Sequence, residues 1–268
     1  MEIESYLTKF RKELELRNYC KTTIKTYYSC MGVLLLKFKD KQSPKEINVT
    51  EIKQFLLDCK TINTRHSFVN SIRTYYRLMF NQLDKADAIP FPRREYHLPK
   101  VIEHTELLNK INAIQNRKHR AIIAIGYGCS LRVSEVINLK MNKISRKENI
   151  IFIEQAKHKK DRIVKVSDFV LGILDDYYKN EFDKPREWLF EGWSHKQYSS
   201  KSCQEVFKKY ISKEHSFHSL RRSGITTMIN NGIDSLLVKQ VSGHKDLKSL
   251  APYYAVSNRT ISKIQTAI

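Results

Sequence analysis

The chain has 268 residues, with 48 Lys and Arg against 28 Asp and Glu, a formal net charge of +20 and an isoelectric point near 9.7. That length suits two moderate cores, and so large a basic excess matches a partner with a phosphate backbone, although ribosomal and membrane-surface proteins are basic too. Residues 1–90 carry 16 basic and 10 acidic side chains and residues 91–268 carry 32 and 18, which excludes a basic tail on a neutral domain. Cys20, Cys30, Cys59, Cys129 and Cys203 form no CxxC pair, so neither a disulfide framework nor a zinc ribbon is indicated and a reducing cytosol is expected. No charged-then-apolar leader is present, and the longest apolar runs, Val33 to Leu36 and Ala121 to Ile125, are too short to span a bilayer. The expectation is a soluble cytoplasmic protein.

Up to about residue 88 the pattern is helical. Ile24, Tyr27, Tyr28, Met31, Leu34 and Leu35 recur at three-to-four spacing behind Thr22 or Thr23 as a cap, and Thr50 is placed to cap a helix carrying Ile52, Phe55 and Leu56. A third stretch runs from Phe68 through Ile72, Tyr75 and Tyr76 to Phe80, and Arg65, Arg73 and Arg77 lie where they could meet a phosphate backbone or form a solvated face. Pro90, Pro92 and Pro99 then interrupt any helix, which makes 89–100 a linker, and its Arg93, Arg94 and Lys100 would let it lie against DNA.

After the linker, Thr105 is placed to cap a short helix. Ile122 to Ile125 mark a second helix, which Gly126 and Gly128 break before a third begins near Arg132. The runs Ile150 to Ile153 and Ile163 to Val166 flank a basic turn as two strands, and Trp188 to Phe190 is a candidate third. From Ser200 onward the pattern is helical again. The fold class is therefore mostly α with a small β-sheet: a helical domain over 1–88 and an α+β domain over 101–268.

The residues that could carry chemistry fall in the second domain. Arg132 and Glu135 stand one helical turn apart, so the carboxylate can orient the guanidinium, although such a pair alone is usually a surface ion pair. His218 and Arg221 share a helical face, with Arg222 beside them. His215 lies three residues before His218, but nothing at ligand spacing completes a metal site. Gly243-His244 forms a turn, and Tyr253 follows His244 by nine residues, after Pro252 and before Tyr254. An oxygen nucleophile backed by guanidiniums, an ammonium and imidazoles, without a carboxylate cluster, suits phosphoryl transfer without a metal ion. No GxxxxGK[ST] loop is present to bind a nucleotide, so no cofactor is expected.

In this order the motifs resemble the tyrosine recombinase, or phage integrase, family. The matching positions are Arg132 with Glu135, Lys157 in the basic turn, His218 with Arg221, Gly243-His244, and Tyr253. The helical segment resembles the family's SAM-like core-binding domain. The resemblance implies a site-specific recombinase that cuts and rejoins DNA through a 3′-phosphotyrosine intermediate without metal or ATP, in integration, excision or resolution. It implies two sites on double-stranded DNA, a homo-tetramer at the synapse built from protomers monomeric in solution, no membrane partner, and a nucleoid-associated setting in a bacterium, archaeon, phage or mobile element.

The implied roles are specific. Arg132 and Arg221 take the charge that builds on the phosphate oxygens, each such donor contributing about 3 kcal/mol. His218 is the base for Tyr253, whose ordinary pKa is about 10. His244 donates to the phosphate, and Lys157 protonates the departing 5′ oxygen. Lys159 and Lys160 are its rivals and read better, with Arg222, as backbone contacts. Three departures bear on this: Arg222 stands where many members have histidine, Ser242 replaces an apolar residue, and Pro252 pushes Ala251 toward extended backbone, so that Tyr253 begins a helical turn with Tyr254 as its rival. Past Ser257, a serine-capped helix carrying Ile261, Ile264 and Ile268 is expected to dock in cis or on a neighbour. The other readings are a type IB topoisomerase-like enzyme that religates without synapsis, and a non-catalytic DNA-binding relative.

Overall fold

The computed structural model describes residues 1–93, 98–156 and 160–257. The chain divides into two compact units, Met1–Tyr96 and His97–Ile268. No helix among the described residues is long and apolar enough to cross a membrane.

The first unit holds α1 (Ile3–Leu16), α2 (Lys21–Lys37), α3 (Val49–Leu57), α4 (Ile62–Phe80) and α5 (Leu83–Asp87). Its core gathers Phe10, Leu14, Met31, Leu34, Leu35, Ile52, Val69, Ile72, Tyr75 and Tyr76, so the three-to-four spacing of α2 and α4 is spent on burial. The caps differ from expectation. Cys20, not Thr22 or Thr23, stands at the N-cap of α2. Asn48, not Thr50, caps α3, where Asn48 and Glu51 exchange side-chain-to-backbone hydrogen bonds of 2.8 Å in each direction. A carboxamide three residues ahead of a glutamate satisfies two orphan N–H groups at once, which a lone threonine inside the first turn does not.

The second unit holds α6 (His104–Ala113), α7 (Arg117–Gly128), α8 (Val133–Ile137), β1 (Ile144–Ser145), β2 (Ile150–Ala156), β3 (Lys160–Lys165), α9 (Asp168–Asn180), α10 (Ser200–Tyr210), α11 (His218–Asn230), α12 (Ser235–Ser242) and α13 (Ala251–Ala255). Here Glu103, not Thr105, caps α6 by accepting the Glu106 N–H. Ala121 to Tyr127 are all buried, making α7 the central helix, packed on α9 and α11. It runs through Gly126 and ends on Gly128. A Cβ would stand 2.9 Å from Phe217 at the first glycine and 2.6 Å from Val170 at the second, so both glycines admit neighbours, and the expected break falls at Gly128 and not at Gly126.

β1, β2 and β3 form an antiparallel sheet in that order. Ile151, Ile153 and Val164 are buried while Phe152 and Ile163 are exposed, the alternation of a sheet with one covered face. Trp188 to Phe190 is not a third strand. The Glu191 carboxylate accepts the N–H groups of Arg186, Glu187 and Trp188, curling that stretch into a turn that retains only a bridge from Trp188 to Lys140.

Candidate active site

The site is organised by the C-terminal end of α12. Three consecutive carbonyls there each accept from a different arginine: Val241 from Arg162 Nε at 2.8 Å, Ser242 from Arg221 Nη2, and Gly243 from Arg132 Nη2 at 3.2 Å. The last carbonyls of a helix have no partner within it and carry the negative end of its dipole, so a trio of guanidiniums is well matched to them. Gly243 makes the turn possible with its left-handed backbone (φ 63°).

Each arginine arrives on a separate element. Arg132 stands at the N-cap of α8. Arg221 lies one turn into α11, is 1% exposed, and donates to the Ser130 carbonyl at 2.9 Å. Ser130 itself adopts left-handed backbone (φ 50°) in the turn between α7 and α8. Arg162 lies on the covered face of β3, opposite Ile153 and two residues from the buried Val164.

Glu135 ties the three together. Arg162 Nη1 and Nη2 grip its two oxygens at 2.8 Å each, Arg132 donates to it from Nη1 at 2.7 Å and from its backbone N–H at 2.8 Å, and Arg221 Nη1 stands 3.9 Å away. Burial works to raise the carboxyl, but the Arg162 hydrogen bonds and charge, followed by those of Arg132, prevail and hold it down at about 2. Burial, then repulsion from Arg132, pushes Arg221 down to about 10, which leaves it charged at neutral pH.

His218 opens α11 one turn before Arg221. Ser242 Oγ and His244 Nδ1 lie 2.7 Å apart. Both imidazoles are pushed down to about 4, by desolvation first and then by arginine charge: Arg222 and Arg221 at His218, Arg221 and Arg132 at His244. His218 keeps an exposed edge. At neutral pH both rings are neutral.

Tyr253 is 7% exposed and packs with Ile225, Ile229, Val238 and Leu250. Its ring lies 5.9 Å from that of His244. It lines a cleft with Lys100, Arg222, Ser249 and Pro252. The expected extended Ala251 is not found. A 3₁₀ turn, Leu247–Leu250, leads straight into α13, Ala251 is helical (φ −48°, ψ −41°), and Pro252 sits where its missing N–H would have been unpaired in any case. Tyr254 packs at the margin of the same apolar cluster.

The remaining candidates are dispersed. Arg73 and Arg77 both pair with Asp87, and Arg73 also lies over the Phe91 ring, so these two are partly committed within the first unit. Arg65 donates to the Leu57 carbonyl. Arg93 is exposed. Arg94, Lys157, Lys159 and the stretch 258–268 lie outside the described residues, and Lys160 is described only as the first residue of β3. Among the described residues no group of three or more His, Cys, Asp or Glu could hold a metal, and His215 is engaged by Ser212. Sequence reasoning missed Arg162, whose signal was its register: in Arg162-Ile163-Val164 it takes the inward position of an alternating strand.

The fold is shared with lambda integrase residues 75–356, solved as a dimer bound to a COC′ core site, at a TM-score of 0.74 and 16% identity over 93% of this chain and 97% of that one. Residues 100–260 match the model of the phage integrase family, and residues 6–85 match that of the phage integrase N-terminal SAM-like domain. Tyrosine recombinase XerA of Pyrococcus horikoshii is 26% identical over 94% of this chain and 90% of its own length. Tyrosine recombinase XerC of Lactobacillus leichmannii is 30% identical over 70% of each. The chain belongs to the phage integrase family, the tyrosine recombinases.

Proposed function

We propose that this chain is a site-specific DNA recombinase acting through Tyr253. The observation that carries the reading is the convergence of Arg132, Arg221 and His244 on the α12 terminus, with the Tyr253 ring against that of His244. Two guanidiniums bind the non-bridging oxygens of a phosphodiester and stabilise the charge that grows there during attack. The Tyr253 oxygen bonds to phosphorus, the bond from phosphorus to the 5′ oxygen breaks, and that oxygen takes a proton, a role assigned to Lys157. A neutral imidazole receives the phenol's proton; the family resemblance gives this to His218. The 3′-phosphotyrosine keeps the bond energy, so a 5′ hydroxyl of a second strand can displace the tyrosine without ATP.

The substrate is double-stranded DNA bearing two recombination sites, bound by a helical domain over 1–88 and a catalytic domain over 101–268 joined by the linker 89–100, with four protomers at the synapse. The test is a plasmid carrying two copies of a site selected by binding from a random duplex library, incubated with EDTA and without ATP. Strand-exchanged products are expected. Relaxation of supercoils without exchange would favour the topoisomerase-like reading, and neither product would favour a DNA-binding relative.

A further inference from the structure

Ser242 holds an unusual position in this site. Its side chain is fully buried, and Oγ lies 2.5 Å from the Val238 carbonyl, 3.3 Å from the Lys239 carbonyl and 2.7 Å from His244 Nδ1. A hydroxyl has one proton to give. Two oxygens at 2.5 Å repel unless a proton lies between them, and a carbonyl cannot supply it, so the Ser242 proton belongs to the Val238 carbonyl. At 2.7 Å the contact with His244 then needs the other proton to come from Nδ1. Neutral His244 is thereby fixed as the Nδ1–H tautomer, and its Nε2 carries a lone pair.

We propose that Ser242 is a positioning residue: by accepting from Nδ1–H it makes His244 Nε2 the atom that takes the Tyr253 proton. This deepens the recombinase reading and rests on it. As the tyrosine oxygen bonds to phosphorus, its proton passes to Nε2; the 5′ oxygen leaves with a proton from the acid. The imidazolium, now N–H on both sides, donates from Nε2 to the phosphate, and returns the proton when tyrosine is displaced. His244 is thus acceptor first, in place of His218, and donor second, whereas the resemblance gave it only the second part. The groups facing it fit: desolvation first, then the charges of Arg221 on α11 and Arg132 at the start of α8, keep it neutral against the opposing charge of Asp246, while His218 stands beside it on α11 and Tyr253 approaches from α13. The Ser242 carbonyl, which anchors Arg221, is backbone and survives substitution of the side chain.

Nitrogen-15 NMR of the full chain labelled at histidine reads the tautomer directly, with His244 assigned by the signal lost in His244→Gln. At pH 7 the wild type should show protonated Nδ1 and unprotonated Nε2. Ser242→Ala should shift His244 toward the other tautomer and slow covalent-adduct formation on a nicked duplex about tenfold or more, with Ser242→Thr restoring both. An Nε2–H tautomer in the wild type overturns the assignment, as does Ser242→Ala forming adduct at the wild-type rate. Absence of adduct from the wild type would instead sink the recombinase reading, and the spectrum alone would then decide what Ser242 does to His244.

Discussion

At the scale of single residues, the site is a balance of like charges around one carboxylate. Glu135 holds three guanidiniums together, and its depressed carboxyl is matched by an Arg221 whose charged form is disfavoured by burial. The network therefore positions its arginines at little net gain in stability. Removing the centre is another matter: Glu135→Gln leaves three arginines facing one another and should destabilise the fold by about 3 kcal/mol in urea unfolding. The pH dependence has a definite sign. Glu135 titrates at about 2 in the fold against an ordinary value of 4.5, so its contribution is present above about 4.5 and is lost as pH falls from there toward 2. The difference in stability between wild type and Glu135→Gln should shrink across that window, and a constant difference would contradict the geometry. Gly243 allows a second test. Alanine there must hold left-handed backbone, at about 1–2 kcal/mol, with its Cβ 3.1 Å from Arg162 Nη1. Gly243→Ala should lose both stability and cleavage.

Much of this was legible residue by residue. Arg132, Glu135, His218, Arg221, His244 and Tyr253 were marked by their order and spacing, and the structure brings the described ones to one place. Arg162 was hidden because an arginine in a basic run reads as solvated. Only the strand register, fixed once β2 and β3 pair, turns it inward. Ser242 registered as a departure from pattern, and its hydroxyl contacts depend on a helix end that spacing does not specify.

At the scale of elements, the closeness of α11 to the turn after α7 places Arg221 on the Ser130 carbonyl. Gly224 permits it. A Cβ at that position would stand 2.4 Å from both the Ser130 hydroxyl and the Tyr127 carbonyl. Gly224→Ala must push α11 away, at about 1–3 kcal/mol of overpacking, and carry Arg221 with it. Cleavage should fall further than stability at permissive temperature; unchanged cleavage with a lowered melting point would show that the Arg221 placement is not critical. Helices and strands were readable from their apolar periods, but their ends were not. Cys20, Asn48 and Glu103 hold the caps expected of nearby threonines; Asn48 and Glu103 do so because their side chains reach an unpaired N–H, whereas Cys20 makes no such bond. The Trp188 stretch has strand-like residues, yet Glu191 claims the N–H groups of Arg186, Glu187 and Trp188 as the chain enters it.

At the scale of the whole molecule, the basic excess is shared by both units, and the proposed DNA contacts include side chains from each. Binding should therefore weaken steeply with salt: for about 6–10 phosphates neutralised, affinity should drop by about 10³–10⁵ between 50 and 200 mM salt. A shallow dependence in a fluorescence titration would argue against an extended backbone interface. Tyr253 is the proposed nucleophile, and mass spectrometry of the peptide left on DNA identifies the residue that attacks. A nicked duplex that lets the 5′ fragment escape should trap the wild-type chain through phosphotyrosine at Tyr253, with Tyr254→Phe still trapped and Tyr253→Phe giving none. A phosphopeptide modified at Tyr254, or adduct persisting in Tyr253→Phe, would contradict it.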